Sequence, residues 1–217
     1  MKLLTRLSTA EIVFWDFDGV IKDSVAVKTE AFGRMFSCYG DSVVKNVRTH
    51  HEANGGVSRY EKIPFYFEQF VGIKLSEDAI DRKCDEFGQM VIEAVIESPW
   101  VGGVESYLHR NPNNQQFVLV TGTPKQEIEY ILGRLGLVSI FTAVFGAPAS
   151  KKASVRSVLD DSTVDPSRTV FLGDALADVK AARANLVPFF LRETLLNKKW
   201  ASEMGLNTYH DLLEGES

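Results

Sequence analysis

Cysteine is nearly absent from this 217-residue chain, which has only Cys38 and Cys84. Two thiols cannot build a disulfide scaffold, and these two have no metal-ligand spacing. Both fall in helix-like stretches, which predicts buried free thiols and a reducing compartment. An excess of positive charge is missing too. The net charge is −5, so the chain lacks the basic footprint that nucleic-acid binding through bulk electrostatics requires, and no nucleic-acid partner is expected. Long apolar runs are also lacking: stretches such as 117–120 and 187–191 have the length of a strand, far short of a bilayer span. The N-terminal residues include Lys2 and Arg6 but no sustained apolar segment. Neither a secretory leader nor a membrane partner is therefore expected, and the expected location is cytoplasmic.

What remains is ordinary globular material, 45% hydrophobic and 24% charged, in a chain long enough to bury roughly 70% of its unfolded surface. Apolar runs at 12–15, 117–120, 169–172 and 187–191 read as buried strands, with a weaker one at 142–145. Helical patterns separate the later runs. Thr123-Pro124-Lys125-Gln126 resembles a helix start, with Thr123 as the cap, and Ile128, Ile131, Leu132 and Leu135 recur at helical spacing before Gly136. Strand–helix alternation predicts an α/β fold built on a doubly wound, Rossmann-like parallel sheet.

Between the first two strands the alternation stops. Residues 24–98 show only helical patterns, including one apolar stripe of Ile80, Cys84, Phe87, Val91 and Val95 between Ser76 and Pro99. This predicts a helical cap domain over 25–98, inserted after the first strand into a core made of 1–24 and 99–217.

Chemistry-bearing residues gather at the predicted strand ends, where open parallel sheets bind ligands. The first strand ends in Asp16-Phe17-Asp18-Gly19. One acid could attack as a nucleophile and the other could move protons, although such a string is as often a solvated turn. A second strand ends in Thr121-Gly122, whose hydroxyl and N–H groups suit a phosphoryl oxygen. A third ends in Gly173-Asp174, with Asp178 four residues on. Asp16, Asp18, Asp174 and Asp178 would meet at one sheet edge, and clustered carboxylates cannot all stay ionised without a cation. An all-oxygen donor set suits Mg²⁺ rather than zinc.

In this order and spacing, the Asp-Phe-Asp-Gly string, the Val120-Thr121-Gly122 segment, a lysine and the Gly-Asp-x-x-x-Asp segment resemble the haloacid dehalogenase superfamily of aspartate-nucleophile phosphohydrolases. The resemblance implies that Asp16 forms an aspartyl-phosphate, while Asp18 protonates the leaving oxygen and later activates water. It also implies that Thr121 and Gly122 bind the phosphoryl group, that Lys151 neutralises charge beside Asp16, and that Mg²⁺ is held by Asp16, Asp174 and the backbone carbonyl of Asp18. Asp178 would orient the lysine or a metal-bound water. Lys152 competes with Lys151 for the lysine role. Lys151 is preferred because Ser150 can cap its helix and Val155, Val158 and Leu159 fall in register from it. Displacing a halide requires neither a leaving-group acid nor a metal, so the superfamily's name is not the expected activity.

In capped relatives a loop between cap helices selects the substrate. Asn54 to Arg59 fits that loop, with Arg59 placed to pair with an anionic part of the substrate and Lys22 a second such cation. His50 and His51 are expected to be packing or surface residues, and Phe65, Tyr66, Phe67 and Phe70 to form cap core. The expected function is Mg²⁺-dependent hydrolysis of a small phosphorylated metabolite. The alternative is a phosphomutase of the β-phosphoglucomutase type, and a non-catalytic binding domain is disfavoured because every acid is present.

Overall fold

The computed structural model describes residues 2–213. A short helix, α1 (Leu3–Leu7), precedes β1 (Ile12–Trp15), and four helices follow: α2 (Val25–Met35), α3 (Asp41–Ala53), α4 (Arg59–Tyr66) and α5 (Glu77–Glu97). α6 (Val104–Arg110) leads to β2 (Gln116–Pro124), α7 (Lys125–Leu135), β3 (Phe141–Ala147) and α8 (Lys151–Asp161). β4 (Thr169–Gly173), α9 (Leu176–Ala184), β5 (Phe189–Arg192), α10 (Lys198–Glu203) and β6 (Thr208–Tyr209) complete the order.

The strands form one parallel sheet in the order β3-β2-β1-β4-β5-β6. The order reverses at β1, which creates the crevice beyond the strand ends where doubly wound sheets take their ligands. Register then fixes what faces that crevice. Trp15 lies opposite both Leu119 and Leu172. Asp16 is therefore level with Val120 and Gly173, and Thr121 and Asp174 project one residue further.

Both faces of the sheet are covered, so β1 is apolar throughout rather than alternating. Ile12 and Phe14 pack with Val118, Val120 and Phe171 under Val155 of α8 and Ala181 and Ala182 of α9. Val13 and Trp15 pack on the other face with Phe117, Leu119 and Leu172. That second cluster continues into the inserted helices through Phe32, Tyr66, Phe87 and Val91. Each such large side chain, fully buried, stabilises the fold by about 1.5–3 kcal/mol. The insertion leaves and re-enters side by side, joined by Asp23 N–H to the Pro99 carbonyl (2.8 Å) and Val101 N–H to the Ile21 carbonyl (3.0 Å). No helix among the described residues is long and apolar enough to cross a membrane.

Several local expectations are corrected. The strand expected over 187–191 begins at Phe189, because Leu186 has a φ of +58° and Pro188 has no N–H to donate to a ladder. β2 runs on to Pro124 and α7 starts at Lys125, so Thr123 is a strand residue and not a helix cap. Cys84 is buried, but Cys38 lies exposed in a tight helical turn (Ser37–Tyr39), contrary to its expected burial.

Candidate active site

Asp16 continues β1 by donating its N–H to the Leu172 carbonyl (2.9 Å), which carries its side chain past the sheet edge while leaving it buried. Its Oδ1 accepts the N–H of Phe17 (2.8 Å), and its Oδ2 lies 2.8 Å from Lys151 Nζ. Lys151 opens α8 directly after Ser150, whose hydroxyl caps the helix by accepting the Ala153 N–H. Lys151 is buried and also donates to Asp178 Oδ1 (2.6 Å), whereas Lys152 is exposed. Asp178 Oδ2 in turn accepts the Ala175 N–H (3.1 Å), tying the carboxylate to the start of its own helix, α9.

Asp174 completes the acidic group. Carboxylate oxygens of Asp16, Asp174 and Asp178 lie within 4.8 Å of one another. Two glycines make room for them. A Cβ on Gly19, which has a φ of +75°, would stand 2.2 Å from Asp174 Oδ2, and one on Gly173 would stand 2.4 Å from the Asp178 Cβ. Burial, reinforced by the Asp178 charge, pushes Asp16 up to about 7 against the opposing pull of Lys151. Burial and the neighbouring carboxylates also raise Asp174 well above its ordinary value. Burial alone would lower Lys151, but Asp16 and Asp178 outweigh it and hold the ammonium charged. Three carboxylates facing one lysine leave uncompensated negative charge, and their hard oxygen donors fit a divalent cation such as Mg²⁺.

The Asp18 carboxylate stands apart from that group. Its Oδ1 accepts the Ser24 hydroxyl (2.6 Å), and its Oδ2 accepts Lys28 Nζ and the Thr123 hydroxyl (3.1 Å). Lys28 also donates to Thr123 Oγ1 (2.8 Å). Burial would raise Asp18, but Lys28 first, then Ser24 and Thr123, hold it below its ordinary value. Ser24, Lys28 and Thr123 were not among the sequence-derived site residues. Their signals are periodic: Lys28 is one helical turn past Ser24, and Thr123 shares a strand face with Thr121. Thr121 is buried, and its hydroxyl accepts the Thr123 N–H (3.2 Å).

The loop between α3 and α4 lies directly over these groups. A Cβ on Gly56, at a φ of +71°, would come within 3.2 Å of Lys151 Nζ, and one on Gly122 would stand 2.6 Å from the Gly56 carbonyl oxygen. The loop is thus near the chemistry, and Arg59, which lines the cavity, has a partner within the protein. Its guanidinium is buried, forks onto Glu127 of α7 (2.8 and 2.6 Å), donates to the Cys84 carbonyl and covers the Phe87 ring at 4.7 Å. Lys22 is turned onto the Trp100 ring, 4.5 Å from its centroid. Tyr66 and Phe67 are buried in the inserted helices, Phe65 is partly exposed, and His50 packs among Phe65, Tyr66 and Phe70. His51 is buried against Phe32. Between sheet edge and insertion lies a cavity of about 600 Å³ lined by Asp16, Asp18, Thr121, Gly122 and Asp174 below and by residues of α3 and α4 above.

Comparison with known proteins agrees with this geometry. A family model described as haloacid dehalogenase-like hydrolase matches residues 10–185. A phosphorylated carbohydrates phosphatase from Thermotoga maritima is 26% identical over 179 residues, covering 80% of this chain and 81% of that protein. Among solved structures, β-phosphoglucomutase from Clostridium difficile superposes with a TM-score of 0.74 at 21% identity, covering 95% of this chain and 93% of that one. CbbY from Rhodobacter sphaeroides, in complex with xylulose 1,5-bisphosphate, superposes with a TM-score of 0.71 at 17% identity, covering 93% and 94%. These two likenesses concern the fold. With the family match spanning β1 to β4 and the inserted helices, most of the chain, the chain belongs to the haloacid dehalogenase-like hydrolases.

Proposed function

We propose that this phosphatase hydrolyses a small phosphorylated carbohydrate by way of an aspartyl-phosphate on Asp16, with Mg²⁺ as its cofactor. The observation that carries the reading is the buried chain Asp16–Lys151–Asp178, with Asp18 two residues from Asp16 on the same cavity. Residues 1–24 and 99–217 would form the core, and 25–98 a cap. The adjacent crossings of the chain near residues 23 and 99 support that division.

Asp16 would attack phosphorus, forming the O–P bond as the substrate's ester oxygen leaves. Lys151, held by Asp178, neutralises charge beside the nucleophile, and Thr121 with the Gly122 N–H receives phosphoryl oxygens. Asp18 gives its proton to the departing alkoxide, then takes one from the water that attacks the aspartyl-phosphate, so protons and phosphate balance over the cycle. In this structure Lys28 keeps Asp18 in its base form. Service as an acid therefore requires Asp18 to leave Lys28 and turn toward the substrate. Asp16, Asp174 and the Asp18 carbonyl, with Asp178 beside them, would hold Mg²⁺, which would supply charge neutralisation for the phosphoryl group.

The test is phosphate release from a panel of sugar phosphates with and without Mg²⁺, using Asp16→Asn as blank. Metal-dependent release above that blank supports the reading, and release that persists in Asp16→Asn removes the covalent mechanism. A mutase is the second reading, favoured by the close approach of the cap loop, through Gly56, to Gly122. It predicts weak hydrolysis and strong activation by a sugar bisphosphate.

A further inference from the structure

Four cationic side chains line the cavity: Lys28, Arg59, Lys62 and Arg192. Three have a carboxylate. Lys28 pairs with Asp18, Arg59 forks onto Glu127, and Arg192 holds Asp23. Lys62, on α4, has no acid within salt-bridge distance among the described residues, although it is only 3% exposed. Its hydrogen-bond partner is His51 Nδ1 at 3.0 Å. His51 is held neutral, since burial first and then the charges of Lys62 and Lys28 push it down to about 2, so it accepts from the ammonium and brings no charge. A buried cation with a neutral partner is costly unless an anion arrives to meet it.

The surroundings say where that anion would lie. Lys62, on α4, lines the same cavity as Asp16, Asp18, Thr121 and Asp174, so it faces the reaction chamber from the cap side. Lys151, Thr121 and Gly122 already serve the transferred phosphoryl group from below. We propose that Lys62, steadied by His51, binds a second anionic group on the substrate, a carboxylate or a second phosphate remote from the bond that breaks. This rests on the phosphatase reading and narrows its substrate class to a sugar phosphate carrying a further acid.

Matched pairs test this directly: 6-phosphogluconate against glucose 6-phosphate, and fructose 1,6-bisphosphate against fructose 6-phosphate. The wild-type chain is expected to prefer the more acidic member of at least one pair by about tenfold or more in kcat/KM, as one charge-assisted contact supplies. The pair that shows the preference tells carboxylate from phosphate. Lys62→Met should collapse the ratio through KM, and Lys62→Arg should retain part of it. Because the lysine is buried without a counter-charge, Lys62→Met should melt at or above the wild-type temperature, which separates binding from a structural role.

Equal treatment of both members in each pair overturns the proposal. So does a ratio that survives Lys62→Met, or a fall in kcat shared by all four compounds. If no compound releases phosphate, the phosphatase reading fails. Calorimetric binding of the same pairs to the Asp16→Asn chain then decides the role of Lys62 by itself: tighter binding of the acidic member supports it, and equal binding overturns it.

Discussion

The two walls of the cavity handle charge in opposite ways. On the sheet side the surplus is negative: Lys151 bridges Asp16 and Asp178, Lys28 with two hydroxyls holds Asp18, and Asp174 has no cation within salt-bridge distance among the described residues. On the cap side Arg59 is locked to Glu127, while Lys62 has only a neutral histidine. The sheet edge thus gathers surplus carboxylates, and the inserted helices face it with a lysine that has no carboxylate partner among the described residues.

The largest effect should come from the sheet wall. Asp16→Asn is expected to lower turnover on the order of 10⁴-fold or more with the fold intact, read by phosphate release and circular dichroism. Asp18→Asn should slow formation and breakdown of the phosphoenzyme by roughly 10²–10⁴-fold, measured in a rapid-quench experiment. A rate that survives either change would mean that the sheet wall is not the chemical wall.

Stability sharpens the contrast. Arg59→Met leaves Glu127 buried without its partner and should cost about 3–5 kcal/mol in urea unfolding, because removing one member of a buried pair strands the other. Mg²⁺ in hundredfold excess over its Kd should stabilise the wild-type chain by about 2.7 kcal/mol. That gain should shrink in Asp174→Asn, and an undiminished gain would place the ion elsewhere.

The smallest effect belongs to Lys62. Burial, then the charges of Lys28 and Lys151, lower it to about 7 against the pull of Asp18 and Asp174. Between pH 7 and its ordinary value near 10.5, the unfolded chain keeps a proton that the folded chain has lost, so this group makes stability rise with pH across that window. Below pH 7 both states are protonated and the full penalty applies. The melting-temperature gain of Lys62→Met should therefore be greatest at or below pH 7 and fade toward pH 10.5. A gain that is flat with pH would show that the lysine is not the buried cation described.

Much of the fold was legible because parallel strands buried on both faces write themselves as continuous apolar runs, as β1, β2 and β4 do. The boundaries that failed were those governed by single backbone facts. Thr123 looked like a cap because it precedes a proline and a helical pattern, yet β2, irregular after Val120, pairs again at Pro124 opposite Ala147, and the Thr123 hydroxyl reaches Asp18. The loop that carries Arg59 could be placed by pattern, but its ion-pair partner could not: Glu127 is 68 residues away in sequence.

The amino-acid order by itself determined the acids at the strand ends, the helical insertion and the cation-seeking chemistry of the oxygen cluster, since these follow from local spacing and residue type. Only the tertiary structure decided which charges meet. It chose Lys151 over Lys152 by burying one and exposing the other, gave Asp18 to Lys28, closed Arg59 on Glu127 and left Lys62 facing the chamber. Pairing depends on distances between segments far apart in the chain, and periodicity records only which face a residue occupies.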